Sequence, residues 1–177
     1  MYGQEPIIKQ LKEELCNSSK FIILVGARGQ GRRTVCKEIS KEKGMDYQEI
    51  NDLKVQNIRE IIEEAYKKVN PVVYCIVTDD KVSVQVQNTI LKFTEDPPAN
   101  SIIFLCVRDL STVLPTVKSR GSVYFMLPYS KEVLGNFTDN KYVLEVCDNP
   151  GEIKRLQELD VDKIISCLLY TSPSPRD

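Results

Sequence analysis

A chain of 177 residues with 42% apolar content is long enough to bury a sizeable core, which excludes a disordered polypeptide. Its 24 basic and 25 acidic side chains leave a net charge of −1, so no global field draws the chain to nucleic acid or to an anionic membrane; such contacts require a local patch or a partner. Six cysteines, at 16, 36, 75, 106, 147 and 167, form no CxxC pair, and histidine is absent, which leaves zinc few ligands and suits a reduced cytoplasmic protein with Cys75 and Cys106 packed as small hydrophobes.

Ile7, Ile8, Leu11 and Leu15 recur at helical spacing and predict an amphipathic helix that leads into a strand at Phe21 to Val25. A glycine-rich loop follows. Val35 and Ile39 lie one turn apart in a lysine-rich helix that Gly44 caps, and a short strand runs near Tyr47 to Ile50. Ile58, Ile61, Ile62 and Ala65 mark a helix ending before Pro71. The near-continuous apolar runs Val72 to Val77 and Ile102 to Val107 read as central parallel strands, separated by a helix from about Ser83 to Thr94. Val123 to Leu127 is the last core strand expected. This alternation predicts a three-layer α/β sandwich with a parallel sheet. After Pro128 the strands stop, and short helices run from Lys131 to about Leu159, with a turn at residues 148–151. Residues 167–177 are a serine- and proline-rich tail without periodicity that resembles a translated adapter, and we exclude about Leu168 to Asp177 from the fold.

The loop GARGQGRRT, residues 26–34, has the glycine spacing of the phosphate-binding pattern GxxxxGK[ST], with Gly26 and Gly31 in register and Gly29 between them. Backbone N–H groups of such a loop surround phosphates while a lysine neutralises them and a hydroxyl holds Mg²⁺. Arg32 stands at the lysine position and Arg33 at the hydroxyl position. Thr34 is displaced by one residue, a turn of about 100° around the helix. Arginine keeps the charge in a bulkier planar fork. The loop therefore reads either as a nucleotide site built from Gly26, Gly29, Gly31, Arg32, Arg33 and Thr34, or as a turn that only packs strand on helix.

SVQVQNTILKFTEDPP (83–98), followed by LPTVKSR (114–120), resembles the ATPase core of replication clamp-loader subunits of bacterial DNA polymerase III, and among them the delta-prime type. The resemblance implies an αβα P-loop NTPase core of the AAA+ class over residues 1–128, a small and incomplete helical lid over 129–166, and the tail over 167–177. In the family an acidic pair follows the strand that precedes SVQVQN: one acid organises the hydrated Mg²⁺ and the other orients water. Aligned without gaps, Val77 and Thr78 occupy those positions, Asp80 matches a later acid and Lys81-Val82 match a lysine-methionine pair. Asp79 and Asp80 lie two residues further on, and a shift of two along a strand moves a carboxylate about 6.6 Å. Ser119-Arg120-Gly121 resembles the serine-arginine-cysteine motif, whose arginine completes a neighbour's ATP site, so the resemblance makes Arg120 a finger in trans. Tyr2-Gly3-Gln4-Glu5 resembles a box near the adenine pocket, residues 57–61 a helix opener, and residues 149–152 a lid turn.

These likenesses imply a largely non-hydrolysing subunit that holds ATP without turnover in a hetero-oligomeric ring with gamma/tau and delta subunits, and that meets the sliding clamp and primer-template DNA through that complex. They also imply no zinc, because the four-cysteine module common in such subunits between positions 36 and 72 is missing. No membrane partner is expected, since no apolar run approaches the roughly 20 residues that span a bilayer. Two alternatives stay open: an active subunit of gamma/tau type, and an unrelated P-loop kinase, which leaves residues 83–120 without explanation.

Overall fold

In the computed structural model, which describes residues 3–16, 20–78 and 82–158, helix α1 (Glu5–Cys16) precedes five strands that form one sheet. The strands are β1 (Phe21–Val25), β2 (Asp46–Ile50), β3 (Val72–Thr78), β4 (Ser101–Val107) and β5 (Ser122–Phe125), all parallel, in the order β2-β3-β4-β1-β5. Connecting them are α2 (Arg32–Lys43), α3 (Val55–Lys67), α4 (Val84–Glu95) and the short α5 (Pro115–Lys118), which a single 3-10 turn at Leu110–Thr112 precedes. The expected α/β class with a parallel sheet is the observed one.

Burial on both faces explains the unbroken apolar runs. Residues 72–78 of β3 and 101–107 of β4 are buried throughout, and their side chains alternate between two cores. Ile23, Tyr74, Ile76, Ile103 and Leu105 meet Ile58 of α3 and Ile90 and Phe93 of α4 on one face. On the other, Ile22, Leu24, Val73, Cys75, Phe104 and Cys106 meet Ile7, Ile8 and Leu11 of α1 and Val35, Cys36 and Ile39 of α2. Each fully buried isoleucine or leucine contributes roughly 1.5–3 kcal/mol relative to exposure, so the two layers of helices are held by the sheet rather than by their own propensity. Tyr74 and Phe93 pack edge to face with ring centroids 5.2 Å apart.

Local chemistry sets the helix ends. Gly44 terminates α2 at φ 62°, its N–H donating to the Lys41 carbonyl. Ser83 caps α4, its hydroxyl accepting the Val86 N–H at 3.3 Å. The last strand is shorter than its sequence suggests. Gln4, fully buried, donates from Nε2 to the Leu127 carbonyl at 2.8 Å and accepts the Leu127 N–H on Oε1 at 3.1 Å, so the side chain of residue 4 takes the backbone groups that a sixth ladder position would use.

Gln87, buried on α4, performs a similar task for the segment before β5. Its Nε2 donates to the carbonyls of Val82 (3.1 Å) and Thr112 (3.0 Å), and its Oε1 accepts the Leu114 N–H at 2.7 Å. A four-residue helix such as α5 cannot hold itself, and this one amide ties its entrance to α4.

The chain divides into two compact units, residues 1–127 and 128–177. Within the second, α6 (Lys131–Leu134), α7 (Lys141–Val146) and α8 (Pro150–Glu158) enclose Tyr129, Leu134, Val143, Cys147 and Ile153. Asn149 opens α8: its side chain accepts the Glu152 N–H at 3.1 Å while Glu152 accepts the Asp148 N–H at 3.0 Å, with Pro150 in the first turn. The expected 167–177 tail and the end of the 129–166 lid fall outside the described residues, as does Tyr2. Among the described residues no helix is long and apolar enough to cross a membrane.

Replacing Gln87 by alanine strands the Leu114 N–H and two carbonyls in a half-buried setting, where each lost partner is costly. The expected result is a loss of about 2–4 kcal/mol, seen in thermal denaturation as a fall of roughly 5–15 °C; a change within error would show that water replaces the amide without loss.

Candidate functional site

The glycine loop leaves β1 at its carboxyl end, between β4 and β5, where ligands of open α/β sheets bind. The Gly26 N–H donates to the Val107 carbonyl of β4 at 3.0 Å, and the Met126 N–H donates to the Val25 carbonyl at 2.7 Å, so both neighbours pin the loop's root. A Cβ on Gly26 would stand 2.6 Å from Met126 Cγ and 2.6 Å from Gln30 Oε1; only glycine fits. Gly29 and Gly31 adopt φ of 93° and 95°, the left-handed region that side chains avoid. The Gly31 carbonyl accepts the Val35 N–H at 2.9 Å, and no side chain caps α2, so the first amides of that helix face the loop's concavity.

The side chains around this frame have other engagements. Gln30 Oε1 accepts the Ala27 N–H at 2.6 Å, so this exposed loop amide is already partnered within the loop. Arg32 is buried at the start of α2. Arg33 points instead to β2: its Nε lies 3.4 Å from Glu49 Oε1, and NH2 donates to Asn51 Oδ1 at 3.5 Å. Asn51 (2.9 Å) and the Tyr47 hydroxyl (3.0 Å) also donate to Glu49. Burial raises the Glu49 carboxyl, but the hydrogen bonds from Asn51 and Tyr47 and the charges of Arg33 and Lys37 outweigh it and hold the group below its ordinary range. Thr34 is exposed on the far side of the turn.

At the carboxyl end of β3, which β4 separates from the loop's strand β1, stand Val77 and Thr78, both buried. Asp79, Asp80 and Lys81 lie outside the described residues. The donor set at this end of the sheet fits a phosphate, through the glycine-loop amides and the adjacent arginine charge. Among the described residues it does not fit the phosphate's magnesium: β3 itself ends on Val77 and Thr78 without a carboxylate, and Arg33 stands where the hydroxyl would.

Arg120 stands at the opposite end of the sheet. Ser122 pairs with Ile22 and Phe125 with Val25, so Arg120 sits before the amino end of β5 while the loop follows the carboxyl end of β1. At about 3.3 Å per residue, six residues separate them by roughly 20 Å. One nucleotide cannot touch both. The Arg120 guanidinium donates to the Thr116 carbonyl at 2.7 Å and pairs with Glu95 Oε1 at 2.6 Å, a partly exposed contact at the end of α4. Gly121 follows because the Phe21 ring lies where a Cβ would be, 2.7 Å from its ideal position. Gln30 and Gln87 went unread in the sequence, since glutamine between two glycines or on a helix face carries no signal of a long-range bond.

A sequence profile of the family described as DNA polymerase III, delta subunit, matches residues 26–129. The DNA polymerase III subunit gamma of Buchnera aphidicola subsp. Schizaphis graminum (strain Sg) is 31% identical over 150 residues, which cover 81% of this chain and 39% of that protein. Two solved structures from Thermotoga maritima share the fold. A DNA polymerase III gamma subunit-related protein superposes with a TM-score of 0.64 at 19% identity, over 90% of this chain and 60% of the other. The RuvB Holliday junction branch migration motor superposes with 0.66 at 16% identity, over 94% and 64%. This chain thus spans under two thirds of each relative.

The loop geometry sets an expected outcome for Gln30→Ala. Freeing the Ala27 N–H removes a competitor equivalent to one net hydrogen bond of about 1 kcal/mol, so affinity for ATP or tripolyphosphate should rise about fivefold in calorimetric titration. A weaker affinity would mean that the glutamine amide helps to bind phosphate instead.

Proposed function

The chain belongs to the clamp-loader family of DNA polymerase III subunits, and from that premise we propose that it is a delta-prime-type subunit, which supports clamp loading without hydrolysing ATP itself. The observation that carries this reading is the pair Val77 and Thr78 at the end of β3, where a hydrolytic centre needs carboxylates. Arg33, committed to Glu49, adds to it by leaving the metal position without a hydroxyl. The loop amides need no side chain to hold phosphate, so ATP can bind as a structural ligand through Gly26, Gly29, Gly31 and Arg32.

Arg120 gives such a subunit its catalytic part. Because it lies at the amino end of β5, an edge strand, it reaches a neighbour's nucleotide more readily than its own. There it stabilises charge on the transferring phosphoryl group, while Glu95 holds it in the separate chain. The ring partners are gamma/tau and delta subunits, the sliding clamp and primer-template DNA, with the work done in the cytoplasm.

The likeness to a gamma subunit favours a second reading, an active ATPase of gamma/tau type. The purified protein decides between them. Incubated with ATP, magnesium and primed DNA, it should release no phosphate above background. Turnover above about 1 s⁻¹, the low end for ordinary enzymes, would establish the gamma/tau reading instead.

A further inference from the structure

Behind the glycine loop, three cysteines that are far apart in sequence meet in the core. Cys36 lies one turn into α2 from Arg32, Cys75 on β3 and Cys106 on the adjacent β4, all fully buried. The Cys106 sulfur is 3.8 Å from that of Cys36 and 3.7 Å from that of Cys75, and all three sulfurs lie within 4.8 Å of one another. A metal bound to sulfur at about 2.3 Å places its ligands about 3.8 Å apart at tetrahedral angles and about 4.0 Å apart in a trigonal plane. The two edges that meet at Cys106 therefore already have the length found in a metal–thiolate site, and the third is no longer than 4.8 Å.

We propose that Cys36, Cys75 and Cys106 form a three-coordinate site for a soft monovalent cation, with copper(I) as the fitting metal. Structural zinc takes four ligands. No histidine exists in the chain, and among the described residues no carboxylate joins this cluster. Soft thiolate ligands suit copper(I), zinc and iron–sulfur clusters, and of these copper(I) is the one that three sulfurs without a fourth ligand fit. The surroundings suit a cluster with excess negative charge: the buried Arg32 side chain lies near enough to Cys106 to act on its charge, and the Tyr47 hydroxyl lies beside Cys75. On binding, each Cu–S bond replaces an S–H bond and the proton passes to solvent; copper enters and stays in the +1 state, so no electron moves. Since Cys36 belongs to the helix that starts at the loop, the metal would also fasten α2 to the sheet.

The test uses the whole reduced chain under anaerobic conditions. Copper(I) supplied from a coloured chelator should transfer about one equivalent to the protein, with new thiolate-to-copper absorption, a melting temperature raised by several degrees, and an X-ray absorption shell of three sulfurs. Zinc offered at the same concentration should not be retained. A background variant with Cys16, Cys147 and Cys167 changed to serine should bind as tightly as the wild type, and adding Cys106→Ala should weaken binding at least a hundredfold. If that last variant does not fold, the sulfur shell of the background variant decides alone. No uptake by the folded wild type, loss of binding in the background variant, retention after Cys106→Ala in a folded protein, or a two-sulfur shell would each overturn the proposal.

Discussion

All five strands run in one direction, and that single constraint gives the sheet two ends of different chemistry. At the carboxyl ends the chain must turn into helices, and the glycines at 26, 29 and 31 let the first turn close so tightly that its N–H groups converge. At the amino ends the chain arrives from helices, and Arg120 is delivered there by α5. A parallel register thus separates the two groups that phosphoryl transfer would need together. Within a single chain they cannot cooperate, which is why the proposed function places Arg120 at a neighbouring subunit's site.

Three glutamine side chains maintain this arrangement where backbone leaves the sheet. Gln4 and Gln87 satisfy part-buried N–H and C=O groups on either side of β5, and Gln30 satisfies an exposed N–H inside the loop. An amide suits each place because it donates and accepts at once without a charge to desolvate. The first two make the frame rigid. The third ties the loop to itself through the Ala27 N–H.

The strands β1, β3 and β4 were legible in the sequence because burial on two faces demands unbroken apolar runs, and Gly44 announced the end of α2 because few other residues accept its backbone. What escaped reading depends on partners distant in the chain. The end of β5 before Leu127 is set by a residue 123 positions away. Helix α5 is too short to show a period, and Arg33's attachment to Glu49 exists only because β2 lies next to α2. The glycine spacing revealed the loop's backbone geometry but not that Gln30 occupies it. Cys75 and Cys106 were recognisable as core residues, yet their meeting with Cys36 required knowing which helix packs on which strands.

As proposed, Arg120 serves phosphoryl transfer from the wrong end of its own sheet for its own nucleotide. The most direct measurement is single-turnover ATP hydrolysis by the complete protein assembled with its partner subunits on primed DNA, comparing Arg120 with Arg120→Ala. Assembly should be normal and one fast-hydrolysing site should be lost, its rate dropping on the order of 10³-fold, with Arg120→Lys restoring little because it lacks the planar fork. Unchanged hydrolysis at every site of a fully assembled Arg120→Ala complex would contradict it.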